Sequence, residues 1–249
     1  MSWETGGAFV WHETDVSPEL LGHELRDNGF GWVAVFIHDG LSVDPIEDDW
    51  VERFRRVSGL PVGGWGALRT RPVEEAALAS TLVERYGLDF YIADAEVGYG
   101  YSGPDGSDSE RYGRSRRFVE TFRALRPALP AGLSSYCRPD EHDLDWGAWS
   151  SAGFVFLPQA YVNDFGRGAA PKACADAARA YFPAAAVHPT IGMYPGVRRS
   201  LRAEGYTGLL AQAGTVGFSV YLAETRMTPD EWTALGEAIA KRGIASTNP

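Results

Sequence analysis

Long apolar runs are missing from this chain of 249 residues. The longest, such as Trp32 to Ile37, are strand-sized and far short of the ~20 residues that a membrane-spanning helix needs, so no membrane partner is expected. Basic charge is scarce. Lys and Arg number 23 against 33 Asp and Glu, a formal net charge of −10, whereas a protein that grips a phosphate backbone needs a basic field. Nucleic acid is therefore not an expected partner. Cysteine is scarcer still: Cys137 and Cys174 are the only two. That is too few for a disulfide scaffold of this size, and both are expected as free thiols packed like small hydrophobes. The N-terminal Met-Ser-Trp-Glu-Thr-Gly-Gly has neither a basic nor a long apolar segment, so no secretory signal is visible. The expectation is a chain that is cytoplasmic at synthesis, acting there, released by lysis, or assembled into a larger particle such as a virion.

What is present is a repeat. A short β-rich apolar run, a polar turn and an amphipathic helix follow one another eight times. The strand-like runs are Ala8–His12, Gly31–His38, Val62–Leu68, Phe90–Glu96, Gly132–Tyr136, Phe154–Tyr161, Ala186–Tyr194 and Val216–Leu222. Helical patterns cover Pro18–Asn28, Ile46–Val57, Val73–Tyr86, Glu110–Leu125, Lys172–Tyr181, Leu201–Ala213 and Pro229–Lys241, with a short fifth piece at Asp145–Ala152. Such alternation signals parallel strands with crossover helices. At this length, eight units predict one α/β domain over residues 1–249, a single (β/α)8 TIM barrel. Ser17-Pro18 and Thr228-Pro229 supply helix starts, and Gly29, Gly59, Gly87 and Gly243 supply helix ends. The alternative, an open doubly wound sheet, wants a glycine-rich phosphate loop after the first strand, where this chain has His12-Glu13-Thr14-Asp15.

In such barrels the chemistry sits at the C-terminal strand ends. The fourth run, Phe90-Tyr91-Ile92-Ala93-Asp94-Ala95-Glu96, alternates with period two, so Phe90, Ile92, Asp94 and Glu96 share a face. Two apolar residues deep and two acids at the mouth is the order of an inward face. Two carboxylates about 6–7 Å apart along a strand repel when both are ionised, which raises the pKa of one and makes it an acid near neutral pH. Glycoside hydrolysis needs such a group. The bland alternative is a pair locked in salt bridges to Arg69, Arg138 or another basic residue.

Other strand ends supply Trp65, Tyr136, Gln159, Tyr161, Tyr194 and Tyr221, and the long loop after the fourth run, Val97 to Ser109, carries Tyr99 and Tyr101 among glycines. Flat rings interspersed with amides and hydroxyls suit a sugar, although any one ring could instead be a barrel layer. Asn163 shares the parity of Gln159 and Tyr161. His12 and His38 end the first two runs and are expected as sugar contacts at the mouth. With His188 and the acids they could form a metal site, but no His-x-His pair occurs and the three come one per strand. No metal and no cofactor are expected.

The stretch Phe90 to Glu96 resembles the Asp-x-Glu signature of glycoside hydrolase family 25, the lysozyme-type N-acetylmuramidases common in bacteriophages and bacteria. Tyr136 and Gln159-Ala160-Tyr161 resemble positions lining that family's groove. The resemblance implies Glu96 as general acid/base and Asp94 as the residue orienting the substrate's N-acetyl group, whose oxygen attacks the anomeric carbon. The longer acidic motif of chitinase-like barrels is absent. The family also carries an acid near the end of its first strand, where this chain has Val10-Trp11-His12-Glu13.

Two functions of different class follow. One is a glycosidase acting on peptidoglycan or a related cell-surface amino-sugar polysaccharide. The other is a barrel that binds saccharide without cleaving it, for example as a phage tail or surface-recognition subunit.

Overall fold

The computed structural model describes residues 1–47, 49–96, 108–139, 144–192, 208–211, 217–221 and 229–241, with the backbone alone at 108–111, 163, 164, 167 and 231. Eight parallel strands close into a ring: β1 (Gly6–Val10), β2 (Phe30–Asp39), β4 (Val62–Ala67), β5 (Tyr91–Asp94), β6 (Ala131–Tyr136), β7 (Val155–Gln159), β8 (Thr190–Gly192) and β9 (Phe218–Tyr221). Closure comes from β1, which pairs with both β2 and β9. The short β3 (Ser42–Val43) only folds back antiparallel onto the end of β2. The fold is a (β/α)8 barrel.

Helices Pro18–Asp27, Trp50–Ser58, Pro72–Arg85, Asp108–Leu125, Trp146–Ser151, Pro171–Ala178 and Pro229–Lys241 stand between the strands and after the last, with an extra turn at Val162–Phe165. Ser17 Oγ accepts from Leu20 N–H at 3.4 Å, capping the first helix ahead of Pro18. Asp145 caps the short fifth helix through Ala148 N–H. Gly59 ends the second helix at φ 67°, where its N–H reaches Arg55 O at 2.9 Å and a side chain would be strained. Of the expected helix Leu201–Ala213, only 208–211 are described, and they are helical. Thr228 and Gly243 lie outside the described residues.

Strand alternation sorts side chains into two layers. Val33, Val35, Tyr91, Leu133 and Phe156 face outward and join helix residues such as Phe54, Phe118 and Phe122 in the larger core. Inside the barrel, Phe9, Trp32, Ala34, Phe36, Trp65, Phe90, Ile92 and Leu157 form a second core. Rings this large fit only because neighbouring inward positions are bare. A Cβ on Gly7 would lie 2.0 Å from the Trp32 ring, and one on Gly63 would lie 2.2 Å from Phe90. The Trp3 ring packs edge-on to Trp32 and Phe90, at centroid distances of 5.5 and 5.3 Å. These aromatic layers fill the lower barrel and leave an opening at the C-terminal ends of the strands.

One expectation is corrected. Cys137 and Cys174 are not free thiols but a disulfide, with Cα atoms 4.7 Å apart. They are 37 residues apart in sequence, yet the fold places the segment after β6 against the helix Pro171–Ala178. Together with Ala160 and Ala169 they make a small core of their own.

Candidate active site

The inward alternation of β5 runs Phe90, Ile92, Asp94, Glu96. The outward partners Tyr91, Ala93 and Ala95 are fully buried against the helices. Asp94 and Glu96 are partly exposed and open into a cavity of about 400 Å³ at the C-terminal mouth. Ser134 stands opposite Asp94 in the β5–β6 ladder and donates from Oγ to Asp94 Oδ1 at 2.8 Å. Gln159, at the end of β7 and only 3% exposed, donates from Nε2 to Asp94 Oδ1 at 3.2 Å and to Glu96 Oε1. Two carboxylates sharing one nitrogen as donor lie within roughly 6 Å of each other.

Both acids are pushed above the usual carboxylate range. For Asp94 the main cause is burial, and the neighbouring Glu96 charge adds to it, against the Ser134 bond, the Arg69 charge and the Gln159 bond. For Glu96 burial again leads, opposed by the Gln159 hydrogen bond and by Arg69. Among the described residues, no cation is within ion-pair distance of either acid. The pair is thus held by neutral donors in an open cleft, and an acid so placed retains a proton to higher pH than a solvated one.

Arg69, considered above as an ion-pair partner of these acids, lies in the cleft wall with its guanidinium on Asp39, at 2.5 Å through Nε and 2.9 Å through Nη2. Its backbone is fixed from behind. The buried Glu75 carboxylate accepts the N–H groups of Arg69 and Arg71, each at 3.1 Å. Asp39 reaches the cleft through an irregularity in β2. Strict alternation from Phe36 would turn His38 inward, but Phe36 pairs with Trp65 and His38 with Gly66. Ile37 is an extra residue, a bulge that inverts the alternation beyond it. His38 therefore points outward and Asp39 inward.

The expectation of His38 as a sugar contact is corrected accordingly. Its ring is fully buried behind the sheet, over Gly66, whose absent Cβ would lie 2.2 Å from Nε2. Nδ1 donates to Gly40 O at 2.9 Å and Nε2 accepts from the Tyr91 hydroxyl at 2.8 Å, which assigns the neutral tautomer. Burial lowers its pKa to about 4. His12 is likewise not among the cleft-lining residues. It precedes a 3-10 turn at Glu13–Asp15, where its backbone carbonyl accepts from Asp15 N–H at 3.0 Å, and its ring stacks on Trp11, with centroids 5.1 Å apart. Trp11, inward by the parity of Phe9, lines the cleft in its place. Glu13 is buried away from the cleft, its backbone carbonyl bound by Trp50 Nε1.

The cleft gathers Asp94, Glu96, Trp65, Tyr136, Gln159, Tyr161 and Tyr221 from the candidates named in the sequence. Trp65 forms part of its floor, with Nε1 donating to Val10 O at 2.8 Å. Tyr161 stacks on Tyr221, with centroids 5.7 Å apart and an interplanar angle of 17°. Its ring occupies the space a Cβ on Gly192 would need, 2.0 Å away. Tyr99, Tyr101 and Tyr194 lie outside the described residues, and of Asn163 only the backbone is described. Residues the sequence did not single out are Trp11, Asp39, Ser134 and Phe165. Period-two parity alone would have found Trp11 and Ser134. Among the described residues, no group of three His, Cys, Asp or Glu side chains gathers in a way that would hold a metal ion. No helix among them is long and apolar enough to cross a membrane.

No family model matches the sequence, and no curated protein matches it. Solved structures do match. The chain is similar to a class V chitinase from Nicotiana tobaccum, with a TM-score of 0.67 at 9% identity over 94% of this chain and 98% of that one. A GH18 chitinase from Pseudoalteromonas aurantia gives 0.66 at 11% identity, over 95% and 99%. A GH36 α-galactosidase from Geobacillus stearothermophilus gives 0.64 at 9% identity over 96% of this chain, which spans only 41% of that enzyme. At these identities the likeness is one of fold.

Proposed function

We propose that the chain is a glycoside hydrolase acting on an amino-sugar polysaccharide by acid/base, substrate-assisted catalysis, with Glu96 as proton donor. One observation carries this: Asp94 and Glu96 stand side by side in an open, aromatic-lined cleft, tied by Gln159 and held by no cation among the described residues. The family 25-like Asp-x-Glu stretch supports it. So do the chitinases and the α-galactosidase among the similar structures, whose names state sugar hydrolysis.

Burial raises the pKa of Glu96, which favours its acid form, and in this reaction its proton passes to the glycosidic oxygen as the bond to the anomeric carbon breaks. Asp94 Oδ1 is occupied by Ser134 and Gln159, leaving Oδ2 to accept the N–H of the substrate's acetamido group. That contact turns the acetamido carbonyl oxygen toward the anomeric carbon, where it forms the new bond. Glu96, now ionised, takes a proton from the water that opens the cyclic intermediate, and the acid is regenerated. Peptidoglycan or another cell-surface glycan is the proposed polymer, and no cofactor is required. The Cys137–Cys174 disulfide suits action outside a reducing cytosol, as for a released lysin or a particle-borne subunit.

A second reading, a barrel that holds saccharide without cutting it, is favoured by one feature. The first strand brings Trp11 rather than an acid into the cleft. Reducing-end release from purified peptidoglycan and from chitin separates the two. The glycosidase releases reducing ends, and Glu96→Gln lowers the rate by about 10²–10⁴-fold while binding persists. Binding without release by the wild-type chain leaves the second reading standing alone.

A further inference from the structure

Phe165 is a large apolar side chain left 55% exposed, at the end of the single helical turn Val162–Phe165 that follows β7. Exposed rings scattered singly are ordinary. This one is not isolated, because it lines the same cavity as Asp94 and Glu96. Its ring is stacked on Tyr161, with centroids 6.0 Å apart and planes 15° apart, and meets Tyr136 edge-on at 6.5 Å. Tyr161 is in turn stacked on Tyr221. Three near-parallel rings thus run from β9 outward, with the buried Tyr161 at their centre and Phe165 at the solvent end.

The row is held from both sides. Tyr161 is seated over Gly192, where no side chain could fit. Beyond Phe165, Ala169 packs with the Cys137–Cys174 disulfide, whose first cysteine directly follows Tyr136. The cross-link joins the two chain segments that carry Tyr136 and Phe165. The opposite wall adds charge, through the Asp39–Arg69 pair beside Trp65. With Trp65 in its floor, a cleft that mixes stacked rings with charged and amide groups fits a pyranose chain, whose ring faces are apolar and whose edges are hydrogen-bonding.

We infer that Phe165 is a sugar-stacking platform at the outer edge of the cleft, and that it selects oligosaccharide chains over single sugars and disaccharides. The inference rests on the saccharide reading above and adds to it a second binding position, beyond the one at the acid pair.

Calorimetric titration in the Glu96→Gln background, which prevents turnover, tests it with chitin hexasaccharide and undecorated peptidoglycan glycan strands, each against its disaccharide. Phe165→Ala is expected to weaken binding of the long chains about tenfold and that of the disaccharides less than about twofold, and Phe165→Trp to restore the long-chain affinity. Because the ring is mostly exposed, the Ala variant keeps its thermal midpoint. Equal effects on long and short ligands, or none on either, would overturn the inference and leave the saccharide reading intact. If neither protein binds any of these saccharides, the saccharide reading fails and the inference with it.

Discussion

The side-chain amide of Gln159 donates to the carboxylate of Glu96 across the mouth of the barrel, from β7 to the residues just past β5. The same nitrogen reaches Asp94, so one neutral group sets the spacing of both acids. A lysine here would stabilise both as carboxylates and remove the proposed proton donor. An amide fixes their geometry while leaving burial to dominate their protonation. Held this way, the two acids differ from a cluster neutralised by ion pairs.

Gln159→Leu keeps the volume and removes the donor. The lost hydrogen bond favours ionised Glu96, so the alkaline limb of kcat/KM should move to higher pH, and the maximal rate should fall about tenfold as the acids lose their common anchor. A pH–rate profile on a soluble oligosaccharide reads both. A lower rate with an unmoved limb would mean that Gln159 acts on packing alone.

Asp94→Asn should destroy activity and yet stabilise the chain at neutral pH. The folded pKa of Asp94 is raised, chiefly by burial. The folded chain therefore holds a proton that the unfolded chain releases, and stability falls as pH rises through the window between the two pKa values. Above that window the full cost is present, and Asn, which still accepts the Ser134 hydroxyl, does not incur it. The expected rise in Tm at pH 7 is roughly 2–4 °C, equivalent to about 1 kcal/mol in a chain of this size. It should shrink through pH 4 and vanish by about pH 3, where Asp94 is protonated in both states. Differential scanning calorimetry at the two pH values checks the sign.

Reduction of Cys137–Cys174, or Cys174→Ala, should lower stability by about 2–4 kcal/mol, as expected for closing a loop of this length. Long-chain binding should weaken with it, because the link braces the segments bearing Tyr136 and Phe165. Denaturant melts with and without reductant, paired with glycan titration, give both readouts. Unchanged binding in the reduced protein would limit the disulfide to a purely stabilising role.

Much of the site was legible because strand parity is a local rule. Once Phe90 and Ile92 were taken as the barrel lining, Asp94 and Glu96 had to follow them inward, and the same rule carries Gln159 and Tyr161. It failed where the backbone departs from strict pairing. The extra residue Ile37 exchanges His38 for Asp39, and no residue type in that stretch announces the bulge. His12 and Trp11 are a different case: the parity of Phe9 already pointed to the tryptophan.

The sequence by itself determined the eightfold β/α alternation, the charge that argues against nucleic acid, and the strand that carries the acids. All three rest on composition and on periods of two and 3.6 residues, which the chain displays without being folded. Only the tertiary structure decided that Cys137 meets Cys174, that Arg69 grips Asp39, that Gly192 makes room for Tyr161, and that Phe165 joins the cleft. Each is a meeting of segments remote in sequence, as where Phe165 meets Tyr136. Barrel closure sets those distances, and no local pattern encodes them.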